Sequence, residues 1–351
     1  MSSITPQRQR IFYKSIPKVE LHRHLEGSLN LPTMIEIAKK YDLDLPKNPD
    51  EFRSLVQVMD GEPFTIQNFL SKFGTLRKFY QSPEVIKKIT KQTIAQAAED
   101  NIRYLELRFT PVALTRIRDF PLGEAMDWVI ESANEAAEKY GVMTNLIANV
   151  NRHESVALAE EVTKLAIERK NKGIVALDIG GNEAEFPGEE FTGVFREAKQ
   201  AGLNITVHAG EWGPAENIVM AVETLGAQRI GHGVRVMENE NVVAMTRERE
   251  IVFEVCPTSN YQSGVTEDIY NHPLKRMIDA GLEVTINTDD PGISQIDLSD
   301  EYELACESLG LDLTALQESI LVAARAAFLS EKTRKMLVSS LENEFKLNGK
   351  S

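Results

Sequence analysis

The stretch Val19–Ser28, VELHRHLEGS, decides the fold. A short apolar run, Val19 to Leu21, ends abruptly in His22-Arg23-His24. A doubly wound open sheet usually carries a glycine-rich phosphate loop after its first strand. Here two histidines stand in that place, spaced so that on a strand both point the same way. Seven further short apolar runs follow: Tyr104 to Leu107, Leu146 to Val150, Ile174 to Leu177, Ile205 to Val207, Arg229 to Ile230, Ile251 to Val255 and Val284 to Ile286. Each is bounded by polar or Gly-rich residues, as buried parallel strands are. Amphipathic helix patterns separate them, among them PEVIKKITKQTIAQAAED (83–100) and FTGVFREAKQAG (191–202). Strand then helix, repeated eight times, predicts an α/β fold, a (β/α)8 TIM barrel, with the open doubly wound sheet as the competing architecture.

The alternation is interrupted once. Gly27 to Asn101 is mostly helical in pattern, which predicts a helical insertion after the first strand, at about residues 30–95, within a single domain spanning 1–351. Such an insertion lands on the catalytic face and can serve as a lid. Its segment FTIQNFLSKF places Phe64, Phe69, Leu70 and Phe73 near one face, suited either to closing over a flat apolar substrate or to packing on the barrel.

Composition narrows the function. The 351 residues carry a formal net charge of -14. A nucleic-acid binder needs clustered Lys and Arg to displace counterions, and no basic stripe is present, so neither nucleic acid nor an acidic membrane surface is expected as a partner. No apolar run is long enough to span a bilayer. Cys256 and Cys306 are the two cysteines, too few and too far apart for a disulfide framework or a Cys-based zinc knuckle. With an N-terminus, MSSITPQRQRIFYKSIPK, that does not read as a signal peptide, the expectation is a cytoplasmic protein. None of this bears on oligomeric state.

Six histidines are present, and four of them, His22, His24, His208 and His232, close predicted strands. Asp289 and Asp290 close the eighth. In an eight-stranded barrel those ends converge on one mouth. Three imidazoles and a carboxylate arriving there suit zinc, which in catalytic sites keeps one position open for water. Zinc lowers the pKa of that water to about 7. Glu211, three residues past His208, can shuttle a proton there, and His232, one strand along, can hold a developing hydroxide. Adjacent Asp289 and Asp290 face different sides, one toward a metal and one toward substrate. The fourth run, GIVALDIGGNE, lacks the lysine that bridges binuclear centres on this fold, so one zinc ion per chain is expected. The zinc deaminases with a Pro-Cys-x-x-Cys signature are excluded, because Cys256-Pro257 has the reverse order and no second cysteine nearby.

PKVELHRHLEGSL, VHAGE, RIGHGV, FEVCPTSN and NTDDP, in this order, resemble the adenosine deaminase family of the amidohydrolase superfamily, from about Pro17 to about Ile293. The resemblance implies that His22, His24, His208 and Asp289 are zinc ligands. It implies that Glu211 protonates purine N1 while hydroxide attacks C6, and that His232 orients the hydroxide and stabilises charge. Asp290 would then bond N7, and the backbone N–H of Gly181 would meet N3. Glu26 is the residue expected near the ribose 5′-hydroxyl, where adenosine deaminases often carry Asp. Glu there is common among adenine deaminases and deaminases of modified purine nucleosides. LELRFTP (105–111) and the gate-like FTIQNFLSKF, with Phe69 and Phe73, resemble the adenosine branch instead. The implied reaction is deamination of adenosine and 2′-deoxyadenosine, a small-molecule purine partner. Adenine, aminodeoxyfutalosine and an N6-substituted adenine nucleotide remain as alternatives, and an inactive purine-binding barrel as a different class. His153 is expected at the surface or behind the site, and His272 as a loop or helix-start residue. Ser259 and Asn260 are expected to orient site groups, Trp212 to shield the site or pack, and Cys256 to be a buried residue and not a nucleophile.

Overall fold

In the computed structural model, which describes residues 6–348, eight parallel strands follow one another around a barrel in sequence order. They are β1 Lys18–His24, β2 Ile102–Phe109, β3 Met143–Asn151, β4 Ile174–Gly180, β5 Asn204–Ala209, β6 Arg229–His232, β7 Val252–Val255 and β8 Glu283–Ile286. Every apolar run of the sequence therefore forms a strand. Most extend past the apolar residues at the C-terminal end, to His24, Gly180, Ala209 and His232. Ladder bonding to the neighbouring strand carries them into the polar residues, as in the pairing of Ala209 with His232. Of the N-terminal stretch expected to lack a signal sequence, residues 1–5 lie outside the described residues, and Pro6–Ser15 is a helix. No helix among the described residues is long and apolar enough to cross a membrane.

The seam between β8 and β1 closes at the mouth. Arg23 pairs with Asp289 as a parallel bridge. The backbone N–H of His24 donates to Asp289 O at 2.8 Å, and that of Asp289 donates to His22 O at 2.9 Å. The residues that join the barrel's last gap are thus the histidines of β1 and the aspartate after β8.

After β1 the chain forms the helices Leu31–Lys40, Pro49–Ser54, Ile66–Leu76 and Pro83–Glu99. The segment expected as an insertion thus includes Pro83–Glu99, which packs on β2 and on the helix Leu122–Tyr140 as the outer ring does. Ser82 caps its start by accepting from Val85 N–H, with Pro83 in the first turn. The helix Ile66–Leu76 is capped by Thr65, whose side chain accepts from Asn68 N–H. The connection before it is stitched to the turn after β8: Val58 N–H donates to Ile293 O at 3.0 Å, and Gln295 Nε2 to Val58 O at 2.8 Å.

Barrel interiors are usually filled by branched apolar residues. This one carries a charged layer. Glu20, Glu106, Arg108, Asp178, Arg229 and Glu254 are all buried within it.

Candidate active site

At the mouth, β1 presents His22 and His24, β5 presents His208, and Asp289 follows β8. One ligand atom from each lies within 4.8 Å of all the others. His24 Nε2 is 3.3 Å from His208 Nε2, and Asp289 Oδ1 lies 3.4 Å from His22 Nε2 and 3.3 Å from His24 Nε2. Nitrogen and oxygen atoms bound tetrahedrally to zinc at its usual 2.0–2.1 Å sit about 3.3 Å apart. His22 Nε2 is also buried with no hydrogen-bond partner, an arrangement that costs free energy unless something fills the gap. The donor set and the orphaned nitrogen both fit a zinc-like ion.

The protonation states fit as well. Burial pushes His24 well below, and His208 below, the usual imidazole range, leaving neutral rings. Burial works against ionisation of Asp289, but the adjacent His22, His232 and His24 hold its carboxyl well below the usual range. Ligating histidines usually donate their other ring nitrogen to a carboxylate or carbonyl. His22 Nδ1 faces Glu254 Oε2 at 2.8 Å, and His208 Nδ1 faces Asp178 at 3.0 Å. Arg108 joins the two carboxylates, donating to Asp178 Oδ2 and to Glu254 Oε2 at 2.6 Å each. Arg229 Nε donates to the other oxygen of Glu254 at 2.7 Å and pairs with Glu106. Sequence reasoning missed Asp178, Glu254 and Arg108. Their signal was a charge inside a short apolar strand, in LDIGG, FEVCP and LELRF.

Around this cluster stand groups able to handle a proton. Burial, with Asp289, Glu183 and Asp290 nearby, pushes the Glu211 carboxyl well above the usual range, which favours its protonated form. Burial and Asp289 do the same to Asp290, whose Oδ1 is buried without a partner. His232 Nδ1 lies 3.7 Å from Glu211 Oε1 and its Nε2 3.9 Å from Asp289 Oδ2. His232 and Asp289 both occupy left-handed backbone, φ 60° and 63°, a strain of about 1–3 kcal/mol each that clusters at functional sites. Ser259 Oγ donates to Asp289 Oδ2 at 2.6 Å, and Asn260 Nδ2 to His232 Nδ1 at 3.0 Å, so both orient site groups. Cys256 is fully buried and burial pushes its thiol up, which leaves it a packed residue and not a nucleophile.

These groups line one cavity of about 410 Å³, with His24, His208, Glu211, His232, Asp289 and Asp290 at its floor, a volume typical of small-molecule sites. Ile66, Leu70, Phe73 and Arg77, one stripe of the helix Ile66–Leu76 and its continuation, line it together with Phe69. Phe64 does not; it packs edge-on against Tyr261, ring centres 4.9 Å apart. Gly181 also lines the cavity, at φ 101°. A Cβ there would meet its nearest protein neighbours at an ordinary 3.8 Å, so backbone conformation, and the room left for a ligand, call for glycine. Gly27 is required by close approach, because a Cβ would fall 1.8 Å from Asp290 Oδ1. Glu26 lies on the wall: Oε1 accepts from Thr110 N–H at 2.6 Å, Oε2 has no partner, and burial pushes the carboxyl up to about 7. His153, expected at the surface or behind the site, is exposed and also lines the cavity, where the turn after β3 brings it beside Gly181. Trp212 lines it too.

Glu183 is a fourth residue that the sequence did not reveal. Its carboxylate accepts from the backbone N–H groups of Gly210, Glu211 and Trp212 at 3.0, 2.6 and 2.8 Å, and from Asn217 Nδ2 at 2.9 Å. It holds the turn that carries Glu211. Glu183→Gln turns an amide NH2 against donors, and is expected to cost about 1–3 kcal/mol of stability. Displacing Glu211 should also lower kcat about tenfold or more. Urea unfolding and steady-state kinetics check both; unchanged kinetics would mean that the turn holds its place without Glu183.

Residues 17–344 match the family model described as adenosine deaminase. An adenosine deaminase from Clostridium botulinum (strain Langeland) is 36% identical over 329 residues, covering 93% of this chain and 97% of that protein. A solved amidohydrolase from Burkhoderia ambifaria, with bound Zn, is similar with a TM-score of 0.89 at 25% identity, covering 98% of this chain and 94% of that one. The adenine deaminase of Arthrobacter aurescens is similar with a TM-score of 0.87 at 27% identity, covering 95% and 100%. Fold and likeness together define a purine deaminase hydrolase of the amidohydrolase kind. The chain belongs to the adenosine deaminase family.

Proposed function

We propose that this chain hydrolyses the 6-amino group of adenosine and 2′-deoxyadenosine, giving inosine or deoxyinosine and ammonia. The observation that carries the reading is a buried Glu211, its carboxyl pushed toward the protonated form, beside a His22-His24-His208-Asp289 cluster on the floor of one cavity. Those four side chains would hold one zinc ion, which would supply the Lewis acidity that makes water a nucleophile at neutral pH.

This chain's own residues do the rest. Glu211 donates its proton to purine N1, which makes C6 electrophilic; of the two protons of the water whose oxygen adds at C6, one passes to the amino group, which leaves as ammonia when the C6–N bond breaks, and the other restores Glu211. His232 bonds the oxygen that adds at C6. Asp290, also protonated, donates to N7, and the Gly181 N–H meets N3. Glu26 faces the sugar. The helix Ile66–Leu76, with Phe69 and Phe73, forms a lid over the flat base and excludes water. The unpaired cysteines Cys256 and Cys306 suit a reducing cytoplasm.

The adenosine deaminase relative, matched over nearly its whole length, supports the nucleoside reading. One observation favours a second substrate, an adenine nucleotide. Arg77 lines the cavity, its Nε is buried without a partner, and it forms no ion pair among the described residues. A guanidinium so placed suits a 5′-phosphate. Ammonia release by zinc-loaded protein, compared for adenosine, adenine and AMP, separates the readings. Adenosine is expected to lead in kcat/KM by about tenfold or more, equivalent to about 1.4 kcal/mol at the transition state. A lead for AMP that Arg77→Gln abolishes would establish the nucleotide reading instead.

A further inference from the structure

We propose that His272 and Asn260 form a hydrogen-bond relay that holds His232 in its Nε2–H form, so that His232 faces the reacting centre only as a donor. The inference rests on the reading of His232 as a group at that centre.

Leu274 N–H lies 3.1 Å from His272 Nδ1. A main-chain N–H can only donate, so this ring nitrogen carries a lone pair. Burial pushes His272 down to about 3, so the ring is neutral and its one proton is on Nε2. That nitrogen is 3.2 Å from Asn260 Oδ1, to which it donates. The Asn260 amide must then turn its NH2 the other way, where Nδ2 meets His232 Nδ1 at 3.0 Å. An amide nitrogen only donates, and a proton on His232 Nδ1 would set two donors face to face. His232 therefore keeps its proton on Nε2, the nitrogen that faces Asp289 across the site. The middle of the relay is rigid. Asn260 N–H donates to Cys256 O at 2.9 Å, and Asn260 O accepts from Val265 N–H at 2.8 Å and Thr266 N–H at 3.1 Å.

A contrast within the same mouth supports the assignment. His22 and His208 have carboxylates behind Nδ1, Glu254 and Asp178, which draw the proton to that side and leave the Nε2 lone pair for a metal. His232 Nδ1 instead bonds an amide N–H, with the Glu211 carboxyl beyond hydrogen-bond distance at 3.7 Å, and so the ring takes the opposite tautomer. The partner behind each ring sorts it as ligand or donor. His272 and Asn260 act through His232 and are positioning residues.

The test begins with the side-chain 15N spectrum of histidine-labelled, zinc-loaded protein. The expected result is protonated Nε2 and unprotonated Nδ1 for His232 and His272, with the reverse pattern for His22 and His208. Asn260→Asp keeps the size and the bond from His272 but offers His232 Nδ1 an acceptor. It is expected to move the proton to Nδ1 and lower kcat about a hundredfold, with KM and zinc content near those of the parent. Should that variant fail to fold, His272→Gln, which can still donate to Asn260 Oδ1, is expected to lose less kcat than His272→Leu. A proton on His232 Nδ1 in the parent protein would overturn the proposal. So would an Asn260→Asp variant with kcat within a factor of two of the parent, or equal losses in the two His272 variants. The spectrum needs no substrate, so a parent protein with the expected tautomers but no deaminase turnover would fault the functional reading and leave the relay standing.

Discussion

Glu211→Gln is expected to lower kcat by about two to four orders of magnitude, the range of a lost general acid, while zinc content and the KM for adenosine are expected to stay close to those of the parent. The side chains are nearly isosteric, and the amide can still donate a hydrogen bond toward purine N1. It cannot release the proton. The site makes that proton available because Glu211 is buried among Asp289, Glu183 and Asp290 and stays protonated where an exposed glutamate would be ionised. Asp289, a member of the four-residue cluster, is untouched, so metal analysis of the purified variant should match the parent. The decisive measurement is single-turnover ammonia release with metal content determined on the same sample. A variant that binds zinc and turns over at the parental rate would show that N1 is protonated by another group, or that N1 protonation does not limit the reaction.

Arg108→Met has the largest expected effect on stability. Arg108 is wholly buried and bridges Asp178 and Glu254, each of which backs a histidine of the cluster. Methionine fills similar apolar volume but leaves the carboxylates short of one charge. Breaking a buried pair by removing one partner typically costs about 3–5 kcal/mol. Glu254 keeps Arg229, which moderates the loss; Asp178 keeps only the Nδ1–H of a neutral His208. Loosened second partners also let the rings of His22 and His208 rotate, and metal affinity is expected to fall about 10–100-fold. Urea unfolding with and without a chelator separates the two effects. A loss below about 1 kcal/mol in the chelated protein would place the network's role in metal binding and not in folding.

Much of the fold was legible because it is written in local pattern. All eight strands coincide with short apolar runs, and the helix Ile66–Leu76 falls on FTIQNFLSKF with its capping Thr65. The cluster was legible for a related reason. In a barrel built of parallel strands, each C-terminal end lies at one mouth, so a histidine's place at the end of a run also gives its place in space. Thus His22, His24, His208 and Asp289 were expected together and stand together. Phe64 shows where the reasoning stops: it shares a segment with Phe69 and Phe73, yet it packs on Tyr261, a neighbour that no periodicity could supply. His153 is the converse case, drawn into the cavity by the path of a turn.

The sequence by itself determined the order of strands and helices, the mouth at which the histidines gather and, through its five ordered motifs, the family. Tertiary structure alone decided which proton each group holds. Burial and neighbouring charges push Glu211 and Asp290 toward the protonated form, and the partners behind His22, His208 and His232, which are Glu254, Asp178 and Asn260, set the tautomer of each ring. Those partners come from other strands and loops, up to 232 positions away along the chain in the case of His22 and Glu254. Local pattern is set by a residue's own neighbours in sequence, whereas desolvation and hydrogen-bond polarity are sums over whatever folding brings near, and only the closed barrel fixes that list.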